Sequence, residues 1–214
     1  HTLVEKPEEA ELAVVNTCLV TAAAESDSRQ RIRQLHHAGI PQVVVTGCWS
    51  SLNPGAAAAL PGVRLVVANA QKDELVPSLL ELLPPVERGS EGQMLADVGG
   101  RRRTRAFIKV QDGCDNHCTF CITTLARGPS RSRPAAEVVA EINAAVGEES
   151  GAQEIVLTGV HLGAWGQDQQ PRAHLRHLVQ QILEQVPVAR LRLSSLEPWD
   201  LDDEFFSLWR EARL

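Results

Sequence analysis

Three cysteines fall within eight residues, as Cys114-x-x-x-Cys118-x-x-Cys121. Thiolates are soft ligands that select zinc, copper(I) and iron–sulfur clusters. Structural zinc prefers CxxC pairs and four closed ligands, which this motif does not supply. A bacterial ferredoxin run spaces its cysteines C-x₂-C-x₂-C, with a further cysteine before proline. The spacing here follows neither pattern. Three close thiolates without a fourth suit a cubane cluster with one iron left open, a metal site rather than a staple. Cys18 and Cys48 stand apart in the first quarter. A disulfide framework usually gives an even count, so an odd total of five reads as a reduced chain that uses thiolates as ligands.

Charge is placed around this motif. Residues 101–133 carry a net +6, against −5 for residues 1–100 and −7 for residues 134–214. The island holds Arg101, Arg102, Arg103, Arg105, Lys109, Arg127, Arg131 and Arg133. It reads either as a solvated run, as arginines paired with the acidic last third, or as a surface for an anionic partner.

The motif needs elements to hold it, and the apolar pattern supplies them. Residues 12–16, 42–46 and 64–68 are short buried strands, with helices over 22–38, 53–60 and 72–83. This half is a parallel α/β layer. Residues 84–100, rich in Pro, Gly, Ser and Glu, read as linker. The second half alternates again: strands over 106–111, 154–158 and 190–193, helices over 134–146 and 175–185, and a helix beginning over 202–211. That is the order of a (β/α) barrel with about three units present, and a complete barrel needs at least ~200 residues by itself. The cysteine motif follows the first of these strands, where α/β folds place their chemistry. Cys18 and Cys48 also follow buried strands at the carboxyl end of the sheet, which lets them converge; the alternative is two buried, inert thiols. The loop after residues 154–158 carries Gly159, His161 and Gly163. It is a cradle for a bound cofactor or a plain βα turn, and its histidine is a ligand contact or simply solvated.

Composition bounds the rest. Hydrophobic residues are 43% and charged residues 22%, ordinary for a globular chain and too apolar for general disorder. No run approaches the roughly 18 apolar residues a membrane helix needs. The chain opens on His1, and no secretory signal follows it.

The cysteine motif on a first barrel strand resembles that of the radical S-adenosylmethionine enzymes. The wider segment VQDGCDNHCTFCI (residues 110–122), with ARG at 126–128 and Arg131-Ser-Arg133, is similar to the methylthiotransferases of that family. So are IVLTGVHLG (155–163), WG (165–166) and LRLSSLEP (191–198). VNTC (15–18), VT (20–21) and VTGC (45–48) resemble the family's amino-terminal domain. Within the family, Ile122 and the 126–128 and 158–163 stretches resemble the MtaB-type tRNA branch.

The resemblance implies an incomplete amino-terminal methylthiotransferase domain over 1–84, a linker over 85–103, and the first part of a radical SAM barrel over 104–214. It implies two [4Fe-4S] clusters and S-adenosyl-L-methionine. Cys114, Cys118 and Cys121 would ligate one cluster, whose open iron takes the amino and carboxylate groups of the cofactor. Gly159, His161 and Gly163 would line the cofactor. Cys18 and Cys48 would be two of three ligands to the second cluster, the third preceding His1. The implied reaction puts a methylthio group on carbon 2 of N6-threonylcarbamoyladenosine beside the tRNA anticodon. Arg101, Arg102, Arg103, Arg105, Arg127, Arg131 and Arg133 would contact RNA. The implied setting is cytoplasmic and monomeric, with a separate electron donor and no membrane. The family's later strands and carboxy-terminal RNA-binding domain are not seen, so the chain reads as a piece cut at both ends. Two alternatives stay open: a relative acting on isopentenyladenosine tRNA or ribosomal protein S12, and a non-catalytic iron–sulfur or RNA-binding fragment.

Overall fold

The computed structural model describes residues 4, 6–83, 104–147, 151–194 and 196–214. The chain divides into two compact units, His1–Gly99 with His117–Gly128 and Gly100–Asn116 with Pro129–Leu214.

The first unit is built on three valine-rich strands, β1 (Leu12–Thr17), β2 (Gln42–Gly47) and β3 (Val63–Val67). They pair in parallel in the order β1-β2-β3, with Val14 opposite Val44 and Thr17 opposite Gly47. Val43, Val44 and Val45 are wholly buried, as befits a central parallel strand covered on both faces. The helix α1 (Ala22–His37) starts where the Thr21 hydroxyl accepts from the Ala24 N–H. It turns Ile32 and Leu35 onto Val15, Val43 and Val45 and stops before Gly39, whose φ of +87° takes the chain out of the helix. Each such buried side chain contributes roughly 1.5–3 kcal/mol.

Two short helices follow β2, α2 (Cys48–Leu52) and α3 (Pro54–Ala58), the second falling within the helix expected over 53–60. The first was not expected at all. It is closed by local bonds rather than by apolar period: the Ser50 and Ser51 hydroxyls donate to Gly47 O, and Trp49 Nε1 donates to Glu25. The helix expected over 72–83 begins as a 3-10 turn, Asn69–Glu74, and becomes α4 (Leu75–Leu82). A further short helix, α5 (Thr123–Arg127), belongs to this unit.

The second unit carries a parallel sheet in the order β4-β7-β8, from β4 (Arg105–Lys109), β7 (Glu154–Thr158) and β8 (Arg190–Leu193). The expected strand 106–111 breaks at Val110. Its end forms β5 (Gln111–Asp112), antiparallel to β6 (Arg131–Ser132). The helices α6 (Ala135–Val146) and α7 (Leu175–Gln185) bury Val138, Val139 and Ile142 and Leu175, Leu178, Val179 and Ile182 against Ile155, Leu157 and Leu191. The last expected helix is shorter than 202–211: α8 (Asp203–Ser207) gives way to a 3-10 turn, Leu208–Arg210. No helix among the described residues is long and apolar enough to cross a membrane.

Candidate iron–sulfur site

The Cys114 turn is shaped by the residues before it. Gly113 has φ +75°, a conformation side chains rarely adopt, and its N–H donates to Asp112 Oδ1 at 2.9 Å. Gln111, 1% exposed, makes five hydrogen bonds from this point. Its two amide N–H bonds are shared among Gly113 O at 2.7 Å, Ser130 Oγ at 2.9 Å and Asp112 O at 3.1 Å. Its oxygen accepts from the Val160 and His161 N–H groups, both at 2.9 Å. One side chain thus ties the turn into Cys114 to the loop after β7. Asp115 adds to this by accepting from the Ser130 N–H at 3.1 Å.

Cys118 and Cys121 are exposed and Cys114 is partly so; all three are free thiols. The Cys121 N–H donates to Cys118 O at 3.1 Å, which turns the chain between them. Cys121 Sγ lies 3.1 Å from Thr123 Oγ1. Bonding from the Thr123 hydroxyl, then from its backbone N–H, holds the Cys121 thiol below its ordinary pKa, toward the ligating thiolate. Cys114 belongs to the second unit, Cys118 and Cys121 to the first. Among the described residues, no three His, Cys, Asp or Glu side chains converge as a closed metal site. The three free thiols fall on one eight-residue segment, and thiolates are the donor type that iron–sulfur clusters take.

Cys18 and Cys48 follow β1 and β2 directly, one step beyond the Thr17–Gly47 pair, and both are partly buried. The sheet register therefore sets them just past the carboxyl ends of two neighbouring strands. Gly47, at φ +103°, has no room for a Cβ against Thr17 O, Thr17 N and Asn16 Oδ1. The Val20 N–H points at Cys18 Sγ, 3.5 Å away, and Asn69 Nδ2 lies 3.6 Å from Cys48 Sγ. Asn69, 7% exposed, also donates to Ala126 O at 2.9 Å, joining this end of the sheet to α5. Two thiols alone leave a cubane short of ligands.

On the loop after β7, Gly159 and Gly163 are crowded by the protein itself. A Cβ at Gly159 would lie 2.9 Å from Gln111 Oε1, and one at Gly163 would collide with the side chain of Asp200. His161 is not solvated. Its Nε2 lies 2.8 Å from Asp200 Oδ2, and the two side chains are 12% and 11% exposed.

Of the basic residues, Arg101, Arg102 and Arg103 lie outside the described residues. Arg105 pairs with Glu154 at 2.6 Å, and Arg192 reaches the same carboxylate at 3.3 Å. Burial raises the Glu154 pKa, but bonding and charge from Arg105 and Arg192 outweigh it and hold the carboxyl below its usual range. Arg133 bonds Glu141 at 2.5 Å and Lys109 O at 2.9 Å. Arg131 is exposed on β6.

Sequence reasoning missed Gln111, Asn69, Asn116 and Asp200. Each is a polar residue whose burial or partners depend on distant segments, so only the glycines crowded by Gln111 and Asp200 gave a signal.

Residues 1–68 match the model of the uncharacterized protein family UPF0004, and residues 108–213 match that of the radical SAM superfamily. The chain is 34% identical over 208 residues to the threonylcarbamoyladenosine tRNA methylthiotransferase MtaB of Rickettsia prowazekii (strain Madrid E), covering 92% of this chain and 48% of the relative. It is 35% identical to the protein of the same name from Bacillus subtilis (strain 168), covering 91% and 45%. It is 30% identical to a tRNA-2-methylthio-N(6)-dimethylallyladenosine synthase of Erythrobacter litoralis (strain HTCC2594), covering 96% and 48%. The chain spans about half the length of these curated relatives.

Proposed function

Because the chain belongs to the radical S-adenosylmethionine methylthiotransferase family, we propose that it works as a tRNA methylthiotransferase, adding a methylthio group to carbon 2 of N6-threonylcarbamoyladenosine beside the anticodon. The observation that carries this reading is the Cys114, Cys118, Cys121 motif, reduced and accessible, opening from the carboxyl end of the first strand of a parallel sheet. The substrate branch is supported by the name that the 34% and 35% identical relatives carry, set against 30% for the dimethylallyladenosine synthase.

In this reading Cys114, Cys118 and Cys121 hold a [4Fe-4S] cluster. When bound, the cluster and S-adenosylmethionine supply a carbon radical able to take hydrogen from an unreactive carbon, chemistry that no side chain provides. The protein's share is position. Gln111 fixes the Cys114 turn, and Thr123 favours the Cys121 thiolate. The loop of Gly159, His161 and Gly163 follows β7 and would line the cofactor. Cys18 and Cys48 would hold part of a second cluster, whose chemistry would be sulfur supply. Along the sequence we take the domains as 1–84 and 104–214 with a linker at 85–103, residues 117–128 grouping with the first unit. The basic residues Arg101, Arg102, Arg103, Arg105, Arg127, Arg131 and Arg133 would supply the charge that meets tRNA phosphate, with Arg105 and Arg133 already paired to Glu154 and Glu141. The protein acts in the cytoplasm as a monomer, with a separate electron donor.

The test is anaerobic reconstitution of the chain with iron and sulfide, reduction, and addition of S-adenosylmethionine. The expected products are 5′-deoxyadenosine and methionine, both lost with Cys118→Ala. Reconstitution to a cluster that never cleaves the cofactor, in this chain and in the full-length relative alike, would favour the non-catalytic iron–sulfur reading. Mass spectrometry of tRNA from cells lacking the gene then reads the substrate. Loss of the methylthio group from dimethylallyladenosine rather than threonylcarbamoyladenosine would move the protein to the other tRNA branch.

A further inference from the structure

We propose that Asp200 is a positioning residue that fixes the His161 ring, and through it Asn116, so that the Cys114 turn is held against the loop after β7. The inference rests on the reading of Cys114 as a cluster ligand for its consequence, but not for its geometry. Asp200 Oδ2 lies 2.8 Å from His161 Nε2, with both side chains nearly buried. A carboxylate only accepts, so the ring must present Nε2–H to it, and in the neutral ring Nδ1 is left as the acceptor. Asn116 Nδ2 lies 3.5 Å from Nδ1, at the long limit of a hydrogen bond, and Asn116 is two residues past Cys114. The backbone of His161 is fixed separately, its N–H donating to Gln111 Oε1 at 2.9 Å. Ring and backbone are therefore held from two sides.

Gly163 points to the same arrangement independently. The Cβ, Cγ and Oδ2 atoms of Asp200 occupy the space where a Gly163 side chain would stand. These are the root of a short side chain as well as its tip, so the carboxylate cannot swing aside without leaving His161. Asp200 itself is set by the 3-10 turn Pro198–Asp200, where its N–H donates to Glu197 O at 3.0 Å. Leu196 and Leu201 anchor that turn on the core. The residue that orients a ligand-bearing loop thus comes from a segment nearly 90 residues further along the chain, a separation read from the numbering of Cys114 and Asp200.

The test uses the whole 214-residue chain in two forms. In the metal-free chain, long-range proton–nitrogen NMR reads the His161 tautomer and the Asn116 side-chain amide. The expected result is an Nε2–H tautomer. Asp200→Ala removes that preference and shifts the Asn116 amide resonances, while Asp200→Glu keeps both close to the unmodified chain. In the reconstituted, reduced chain, the cluster's paramagnetic resonance spectrum is titrated with S-adenosylmethionine. Asp200→Ala and Gly163→Ala should each weaken the apparent affinity roughly tenfold to a hundredfold, the loss that follows removal of an outer-shell partner, with partial rescue by Asp200→Glu. A merely structural role would move the urea midpoint and leave that titration unchanged. An Nδ1–H tautomer in the unmodified chain, or an unaltered titration in Asp200→Ala, overturns the inference. If the unmodified chain takes up iron yet never responds to S-adenosylmethionine, the functional reading fails and the NMR arm still decides the inference. If Asp200→Ala does not fold, the unmodified tautomer and Asp200→Glu decide it.

Discussion

Replacing Gln111 with leucine keeps the volume of a 1% exposed side chain and deletes its polar end. The Val160 and His161 N–H groups then lose their acceptor, and Gly113 O loses its closest side-chain donor. A buried donor or acceptor left unmade costs about 1–3 kcal/mol. These three groups sit on loops that are only partly buried, so water replaces some of the loss and leaves about 0.7–1.3 kcal/mol for each. Their sum is about 2–4 kcal/mol, which makes Gln111 worth as much as a well-packed core leucine.

Because the loss is local, hydrogen exchange is the assay to use. The Val160 and His161 amides should exchange faster by about thirtyfold to a thousandfold, since each 1.4 kcal/mol is a factor of ten. The amide of Leu157, inside the strand, should change less. Gln111→Glu separates the two halves of the amide. It keeps an acceptor for Val160 and His161 but turns a carboxylate toward Gly113 O, so its destabilisation should lessen as the pH falls and the carboxyl protonates. Protection at Val160 and His161 that is unchanged in Gln111→Leu would refute the reasoning and leave the two loops holding themselves.

Asn69→Ala removes the donor to Ala126 O and should lower stability by about 1–2 kcal/mol, with Cys48 alkylated faster by iodoacetamide relative to Cys18. Glu154, whose pKa is lowered by its arginines, stabilises the fold only while ionised. The difference between Glu154→Gln and the unmodified chain should be full above the ordinary carboxylate pKa of about 4.3, and vanish as the pH falls through the lowered folded value; an acid titration followed by circular dichroism checks it. If the basic island meets RNA phosphate, tRNA affinity should fall steeply with salt, and Arg131→Ala should weaken it more than Arg105→Ala, because Arg105 is already paired with Glu154.

The elements that sequence reading placed well are those whose burial is continuous or periodic. Val43-Val44-Val45 must be a strand covered on both faces, and Val138, Val139 and Ile142 must share one face of a helix. The strand Glu154–Thr158 and the helix Leu175–Gln185 were legible to the residue for the same reason. The segments that failed are short and closed by side chain to backbone bonds. Cys48–Leu52 is helical because two serines bond Gly47 O. Residues 111–112 leave the first strand because Asp112 and Gln111 pair with Arg131 and Ser132, two residues whose identities carry no period-2 signal.

The cysteine triplet was legible because ligand spacing is written along one stretch of chain. The residues that steady it are not, since their meaning lies in their partners. Gln111 looks like a surface polar residue at a strand end, yet its bonds reach Ser130 and residues 160–161. Asp200 looks like one more charge in an acidic third, yet it is 11% exposed against His161.

The two glycines of the loop after β7 show what spacing alone leaves open. A glycine at a strand end is demanded whenever something must come close to the backbone, and a bound cofactor and a neighbouring side chain make the same demand. At Gly159 the close neighbour is Gln111, and at Gly163 it is Asp200. The first requirement on both is therefore internal: they let two polar side chains reach His161, one at its backbone and one at its ring. Whatever the loop does for a cofactor, it does with a histidine already held at both ends. The residues that deserve substitution first are then the two that hold it.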